Sequence, residues 1–179
     1  MTKSACRRTA VAGAFLWALV LFAGLAPGAA HAARAQRYVL TSKSEFQSGC
    51  FDPCLCPILL APLGGRFYLV PTGSEDGGLF ETFAVRGVRW IIGDGSTGAR
   101  RRVRGSGTYR LGGEVALTQR LELDLSLDGA PPQHFDSGDV PVEAPFPEIA
   151  ATVSMNDMVC FDNVFSIDAV PAGRSSAPR

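Results

Sequence analysis

Residues 114–127, EVALTQRLELDLSL, decide the fold class of this 179-residue chain. Val115 and the five leucines of this segment share one parity, interrupted only by Gln119, and the charged or hydroxyl side chains share the other. Alternation with a period of two places each set on one face of a β-strand. A helix would instead distribute the same leucines around its axis. The segment therefore predicts a strand with one buried and one hydrated face.

Other segments predict the same kind of structure. Residues 79–92, LFETFAVRGVRWII, change parity at Gly87, which indicates a β-bulge that returns the apolar set to one face. Asn156-Asp157 is a plausible two-residue hairpin turn. The remaining strand candidates are residues 38–41, 66–70, 98–110, 149–155 and 158–169. Strands separated by glycine and proline turns predict an all-β protein, either an antiparallel β-sandwich or a barrel-like domain.

Residues 1–32 have the composition of a secretory signal peptide. A basic start precedes an apolar run at residues 11–26, and Ala30-His31-Ala32 offers a small-x-small cleavage site. The apolar run is shorter than the roughly 20 residues that a membrane-spanning helix needs. We therefore expect export, a single β domain at residues 33–170, and a disordered tail at residues 171–179, PAGRSSAPR, which has nothing to bury.

Cleavage would change the charge balance of the chain. Without Lys3, Arg7 and Arg8, the 17 basic residues fall to 14 against 17 acidic ones, a net charge of −3. Such a mild charge does not indicate a nucleic-acid or membrane-surface partner. Among the remaining basic residues only Lys43 is a lysine, a bias that suggests a GC-rich bacterial genome. We expect a secreted or periplasmic protein with no cofactor and no transmembrane segment in the mature chain.

Four cysteines would remain after cleavage: Cys50, Cys54, Cys56 and Cys160. An even number in an exported chain predicts two disulfides. A bridge between Cys54 and Cys56 would close a very small ring, so two pairings stay open. The turn signal Asp52-Pro53 favours Cys50–Cys54 with Cys56–Cys160. The same four thiols could form a zinc or redox site, but C-x3-C-x-C is not the usual spacing of either.

Residues 134–137, His-Phe-Asp-Ser, invite a hydrolase interpretation because they hold a base, an acid and a hydroxyl group. In an extended segment His134 and Asp136 share a face, whereas Ser137 lies on the opposite one, so a convergent triad is not predicted. The chain also has no G-x-S-x-G motif. His134 and Asp136 are therefore the catalytic candidates of an alternative hypothesis.

Residues 100–104, RRRVR, are the strongest charge run of the sequence. Its cationic side chains, Arg100, Arg101, Arg102 and Arg104, could bind an anionic ligand such as a phosphate, an anionic glycan or a lipid headgroup. The alternative is a hydrated edge strand, because charges along an edge discourage pairing with another chain.

These features together favour an exported, non-enzymatic β domain that is stabilised by disulfides and serves as a binding or structural module at the cell envelope or outside the cell. A secreted hydrolase that uses His134 and nearby acids is one alternative. A cysteine-based metal-binding or redox protein is another. The sequence indicates neither the ligand nor the oligomeric state.

Overall fold

The computed structural model describes residues 34–93 and 100–173, so the predicted signal peptide and residues 174–179 of the predicted tail lie outside the described residues. Within the described ranges the chain forms ten strands, one 3-10 turn at Asp76–Gly78 and no α-helix, and therefore no helix that could span a membrane. The strands are β1 Gln36–Leu40, β2 Glu45–Cys50, β3 Leu59–Glu75, β4 Phe80–Ile92, β5 Arg101–Gly112, β6 Thr118–Leu127, β7 Gln133–Asp136, β8 Val140–Pro141, β9 Ile149–Ser154 and β10 Phe161–Pro171.

All strand pairs are antiparallel and belong to one sheet, which confirms the predicted all-β class. Strands β3 to β6 follow one another as a meander. Strands β1 and β2 act as one interrupted strand between β10 and β3. Because β10 also pairs with β9, and β7 pairs with both β6 and β9, the two ends of the sheet meet in a closed, barrel-like ring.

The closure between β6 and β9 depends on a side chain as well as on backbone pairing. Strand β7 contacts β9 through a single register pair, Asp136 with Ser154. The buried Gln119 of β6 spans the same seam, because its Nε2 donates to the carbonyl oxygen of Ala150 on β9 at 2.7 Å. Its Oε1 accepts the hydroxyl proton of Tyr109 on β5 at 3.1 Å. The one polar exception in the alternating segment is thus a buried link between three strands.

Alternate side chains of the strands fill the interior of the ring. Leu121, Leu123 and Leu125 are buried, as the alternation predicted, whereas Asp124 between them is exposed. Aromatic rings pack against these leucines, with neighbouring ring centroids 4.9 to 6.3 Å apart. The rings belong to Phe46, Phe67, Trp90, Phe135 and Phe165. Burying such large apolar surfaces is the dominant stabilising term of the fold.

The strand predicted at residues 114–127 begins four residues later, at Thr118. The hairpin register pairs Gly112 of β5 with Thr118 of β6, so residues 113–117 form the connecting loop. Val115 in that loop is 98% exposed. The alternation of apolar residues extends into this loop. Alternation indicates only which face of a strand a side chain would occupy, and it does not indicate where the strand ends and the hairpin turns.

The predicted bulge at Gly87 is confirmed. The register between β4 and β5 shifts between Val85 and Val88, and Gly87 has φ of +60°, a left-handed conformation that favours glycine. The predicted hairpin turn at Asn156-Asp157 is wrong, because a six-residue loop at 155–160 joins β9 to β10. Pro171, the first residue of the predicted disordered tail, instead belongs to β10 and is buried.

Candidate functional site

The cysteine segment forms two disulfides, but the favoured pairing is wrong. The bonds are Cys50–Cys56, with α-carbons 5.0 Å apart, and Cys54–Cys160, at 4.8 Å. The reason lies in the turn after β2, where the Phe51 N–H donates to the carbonyl oxygen of Cys160 and the Cys54 N–H donates to that of Phe51. This turn lies beside the start of β10 and directs Cys54 to Cys160. Every cysteine of the described residues is therefore disulfide-bonded, and none offers the thiolate that a zinc or redox site needs.

The loop that the disulfides fix exposes apolar side chains at one end of the ring. Leu55 is 95% exposed, and Leu59, Leu60 and Phe161 are each about 60% exposed. Such clusters often mark contact surfaces. Nothing among the described residues covers this one or indicates the chemistry of an occupant.

The structure does not bring the hydrolase candidates into a triad. The His134 Nδ1 lies 3.0 Å from a carboxylate oxygen of Asp124 on the neighbouring strand, and both side chains are exposed. Asp136 accepts two hydrogen bonds from Arg120 instead. The Ser137 hydroxyl accepts the N–H of Leu121 and donates to a backbone carbonyl. Each group therefore has a structural partner, and the three do not converge on one reacting position.

One further cluster has the composition of a metal site. Potential ligand atoms of Glu122, His134 and Asp136 lie within 4.8 Å of one another. The Arg120 guanidinium, however, contacts Glu122 at 3.0 Å and Asp136 at 2.5 Å. Burial acts to raise the pKa of Asp136, but the hydrogen bonds from Arg120 and from the N–H of Gly138 outweigh it and lower that pKa. The cluster is thus an ion-pair network whose carboxylates already have a cation.

Among the described residues, a group of arginines lies on the outer face of β3, β4 and β5. Arg66 of β3 stands opposite Arg89 of β4, and Arg89 stands opposite Arg104 of β5. Arg102 lies on the same face as Arg104, two residues earlier. All four side chains are exposed and line a groove of about 460 Å³. We call this feature, defined by Arg66, Arg89, Arg102 and Arg104, the arginine groove.

The strand parity places the arginines on the outer face, and glycines of β3 lie beside them. Trp90 and Val103, which neighbour the arginines along the chain, point into the core. Gly65 stands opposite Trp90, and a Cβ at Gly65 would lie 2.7 Å from the Trp90 Cα and 3.0 Å from its ring. Gly64 stands opposite Ile91 on the outer face and contributes no side chain there. The absence of a side chain at Gly64 therefore leaves open space on the outer face beside the arginines, since a Cβ there would meet nothing within 4 Å.

The three opposed guanidinium groups form no ion pair or hydrogen bond with an acid among the described residues. Arg101 provides the contrast, because it binds Asp128 at 3.0 Å. The Asp128 carboxylate also accepts the backbone N–H of Arg102 at 2.7 Å, and this bond, followed by that from Arg101, lowers the pKa of Asp128. Like charges in directly opposed pairs are destabilising. An anion bound at this row would reduce the repulsion between its guanidinium groups.

Part of this groove comes from the charge run that the sequence analysis singled out. Within residues 100–104, Arg102 and Arg104 line the groove, Arg101 is held by its acid, and Arg100 lines two adjacent depressions. The sequence pattern did not indicate the arginines of β3 and β4, Arg66 and Arg89, as part of a site. Each is isolated in the sequence, and only the register of the strands brings them beside the run.

Comparisons of the chain with protein-family models, with curated proteins and with solved structures found no match. The function is therefore inferred from the arrangement of the chain's own side chains.

Proposed function

We propose that the protein is an exported, non-enzymatic β domain that binds an anionic ligand in the arginine groove. The observation behind this proposal is the row of three arginines in cross-strand register. Neighbouring side chains in such a row lie about 4.5 to 5.5 Å apart at their Cβ atoms. Without an acid among the described residues to offset them, their positive charges add at one place on the surface.

The guanidinium group suits this role chemically. It is planar, always charged, and presents several N–H donors that match the oxygens of phosphate, sulfate or carboxylate groups in bidentate geometry. The four arginines also stand on strands, which hold a binding site more rigidly than loops do. A bound anion would accept these donors and remove the repulsion between them.

The composition of the groove favours binding over catalysis. Besides the arginines, the described residues that line it are apolar or glycine: Val39, Gly65, Trp90, Ile91 and Val103. These side chains include no carboxylate, imidazole, hydroxyl or thiol that could act as a general base or nucleophile. The groove can therefore hold and orient an anion but lacks the groups for bond cleavage.

Two features support export. Disulfides form and persist in oxidising compartments, and the two observed bonds are compatible with such a location. The sequence of residues 1–32 has the pattern of a signal peptide. Detection of a chain that begins after Ala32 in the secreted fraction of an expressing bacterium would test this part of the proposal.

The binding proposal is tested by thermal unfolding at low ionic strength with and without sulfated dextran. We expect the polyanion to raise the unfolding temperature of the wild-type protein and to have a much smaller effect on Arg89→Gln. Lys43→Gln is the matched control, because it removes the same charge from an 80% exposed side chain outside the groove. Equal shifts in both variants, or no shift in the wild-type protein, would contradict the proposal.

A further inference from the structure

We infer that the ligand is a linear, anionic polysaccharide whose sulfate or phosphate groups follow the arginine row across the strands. This inference rests on the proposed function and specifies the class of ligand. Strands are 4.7 to 4.9 Å apart, so the row from Arg66 to Arg104 covers two intervals, about 10 Å in all. A single sulfate or phosphate ion can be bound by neighbouring arginine side chains, but it leaves part of the row and the adjacent cationic surface without an anion. Several linked anionic groups are needed to use all of it.

The cationic surface continues beyond the row. Arg102 and Arg104 also line a second depression of about 600 Å³, on the β6 side, together with Ser126. Asp128 lines it too, but its carboxylate is already engaged by Arg101 and by a backbone N–H. The arginines of β5 therefore stand between two adjacent grooves. A chain that crosses β3, β4 and β5 can extend into the second groove without meeting an unpaired acid among the described lining residues.

Apolar side chains lie between the cations. Val39 stands opposite Arg66 in the register, and Ile91 stands opposite Arg102, two residues after Arg89 on the same face. Both are half-buried and line the groove. Such surface complements a ligand in which carbon-rich units, such as the faces of sugar rings, separate the charged groups. A purely inorganic polyphosphate has no counterpart for it.

The same lining argues against single-stranded nucleic acid, the other common linear polyanion. Proteins that bind single strands usually present exposed aromatic rings on which the bases stack. Among the described residues that line the groove, only Trp90 is aromatic, and its side chain is buried at 1% exposure. It packs against Phe67 and Phe165 inside the ring and offers no open face. A sugar backbone with anionic substituents needs no such stacking surface.

The test compares three probes by titration calorimetry at low salt: inorganic sulfate, size-fractionated dextran sulfate oligosaccharides, and single-stranded DNA of matched charge. We expect affinity to rise with oligosaccharide length until the row is filled. Arg66→Gln and Arg104→Gln should each weaken oligosaccharide binding about tenfold to a hundredfold, the scale of one charge-assisted hydrogen bond, and should change sulfate binding less. Lys43→Gln should match the wild-type protein with every probe.

The possible failures are distinguishable. Equal affinity for sulfate and for the longest oligosaccharide would overturn the linear ligand and leave an anion-binding groove in place. Tighter binding of the DNA would replace the polysaccharide with a nucleic acid. Absence of binding to all three probes would overturn the proposed function as well. Circular dichroism of the two arginine variants checks that each remains folded, as expected for exposed side chains.

Discussion

Asp162 shows how one buried acid organises a loop. Its side chain is only 1% exposed, and its carboxylate accepts the backbone N–H groups of Met155, Asn156, Met158 and Asn163 at 2.7 to 3.0 Å. Buried charged groups are tolerated when such hydrogen bonds replace water. The acid therefore holds the connection between β9 and β10 in the conformation that presents Cys160 to its partner. Nothing in the sequence distinguishes it from exposed acids, because all four partners are backbone groups.

Replacing Asp162 by Asn should destabilise the protein by about 2 to 4 kcal/mol, since an amide nitrogen would face donors that lose their acceptor. Asp157→Asn is the matched control in the same loop. Asp157 is exposed, and its positive φ of 51° is one that asparagine tolerates, so we expect a change below about 0.5 kcal/mol. Urea denaturation of both variants measures the difference. Similar losses would show that the carboxylate is not the organising group.

Tyr109 is a second residue whose environment has a measurable consequence. Its hydroxyl donates to Gln119 inside the ring, and burial, with a smaller contribution from Tyr38, raises its pKa well above the ordinary value of 10.0. The unfolded chain therefore loses this proton at a lower pH than the folded protein does. The resulting stabilisation is fully present below pH 10 and is lost as the pH rises above that value.

We expect the free energy of unfolding of the wild-type protein to fall more steeply between about pH 10 and pH 11 than that of Tyr109→Phe, which has no proton to release. Urea denaturation at a series of pH values for the two proteins isolates this residue from the other titrating groups, which they share. Parallel curves would mean that the folded environment does not favour the protonated phenol.

At the scale of elements, the sequence pattern predicted the strands that have long alternating segments and did not predict β2, β7 and β8. Strand β6 was recognised from its leucines and β4 from the parity change at its bulge. Strand β7, with the sequence QHFD, has one buried residue in four, Phe135. Its pairing with β6 and its role in closing the ring come from tertiary contacts. Alternation with a period of two is recognisable only over several repeats, and β7 and β8 are too short to show it.

The two disulfides should differ in their contribution to stability. Cys54–Cys160 closes a sequence separation of 106 residues, whereas Cys50–Cys56 closes one of 6. In the chain-entropy model, cross-linking the longer loop restricts the unfolded chain more, by about 4 to 5 kcal/mol against about 2 kcal/mol. We expect the double variant Cys54→Ser/Cys160→Ser to unfold at much lower urea concentration than Cys50→Ser/Cys56→Ser. A larger loss from the short bridge would show that it acts through folded-state contacts of the loop.

At the scale of the whole molecule, the closed sheet separates two kinds of charged surface. The ion-pair network of Arg120, Glu122 and Asp136 lies on β6 and β7, where each charge has an opposite partner. The arginine groove lies on β3, β4 and β5, where the opposed charges have the same sign. The sequence alone identified only the β5 part of that groove. The rest depends on the register of a meander, which sets which isolated arginines become neighbours and is not encoded in any local pattern.

This arrangement predicts that the arginine groove lowers the stability of the protein. Arg89 occupies the centre of the row, with one arginine opposite it on each side. Opposed like charges cost a few tenths to about 1 kcal/mol each, so Arg89→Gln should raise the free energy of unfolding at low salt by about 0.5 to 1 kcal/mol. At 1 M salt the Debye length falls to about 3 Å, and the advantage of the variant should disappear because salt screens the repulsion.

Lys43→Gln, which instead removes one partner of an exposed ion pair with Asp168, should show no gain at either ionic strength. A salt-independent effect of Arg89→Gln would mean that packing of the side chain, rather than its charge, determines its contribution. A loss of stability at low salt would show that the Arg89 guanidinium makes a stabilising contact outside the arginine row. If the proposed binding is correct, three arginines held in register lead us to expect that Arg89→Gln is both more stable and a weaker binder of dextran sulfate than the wild-type protein.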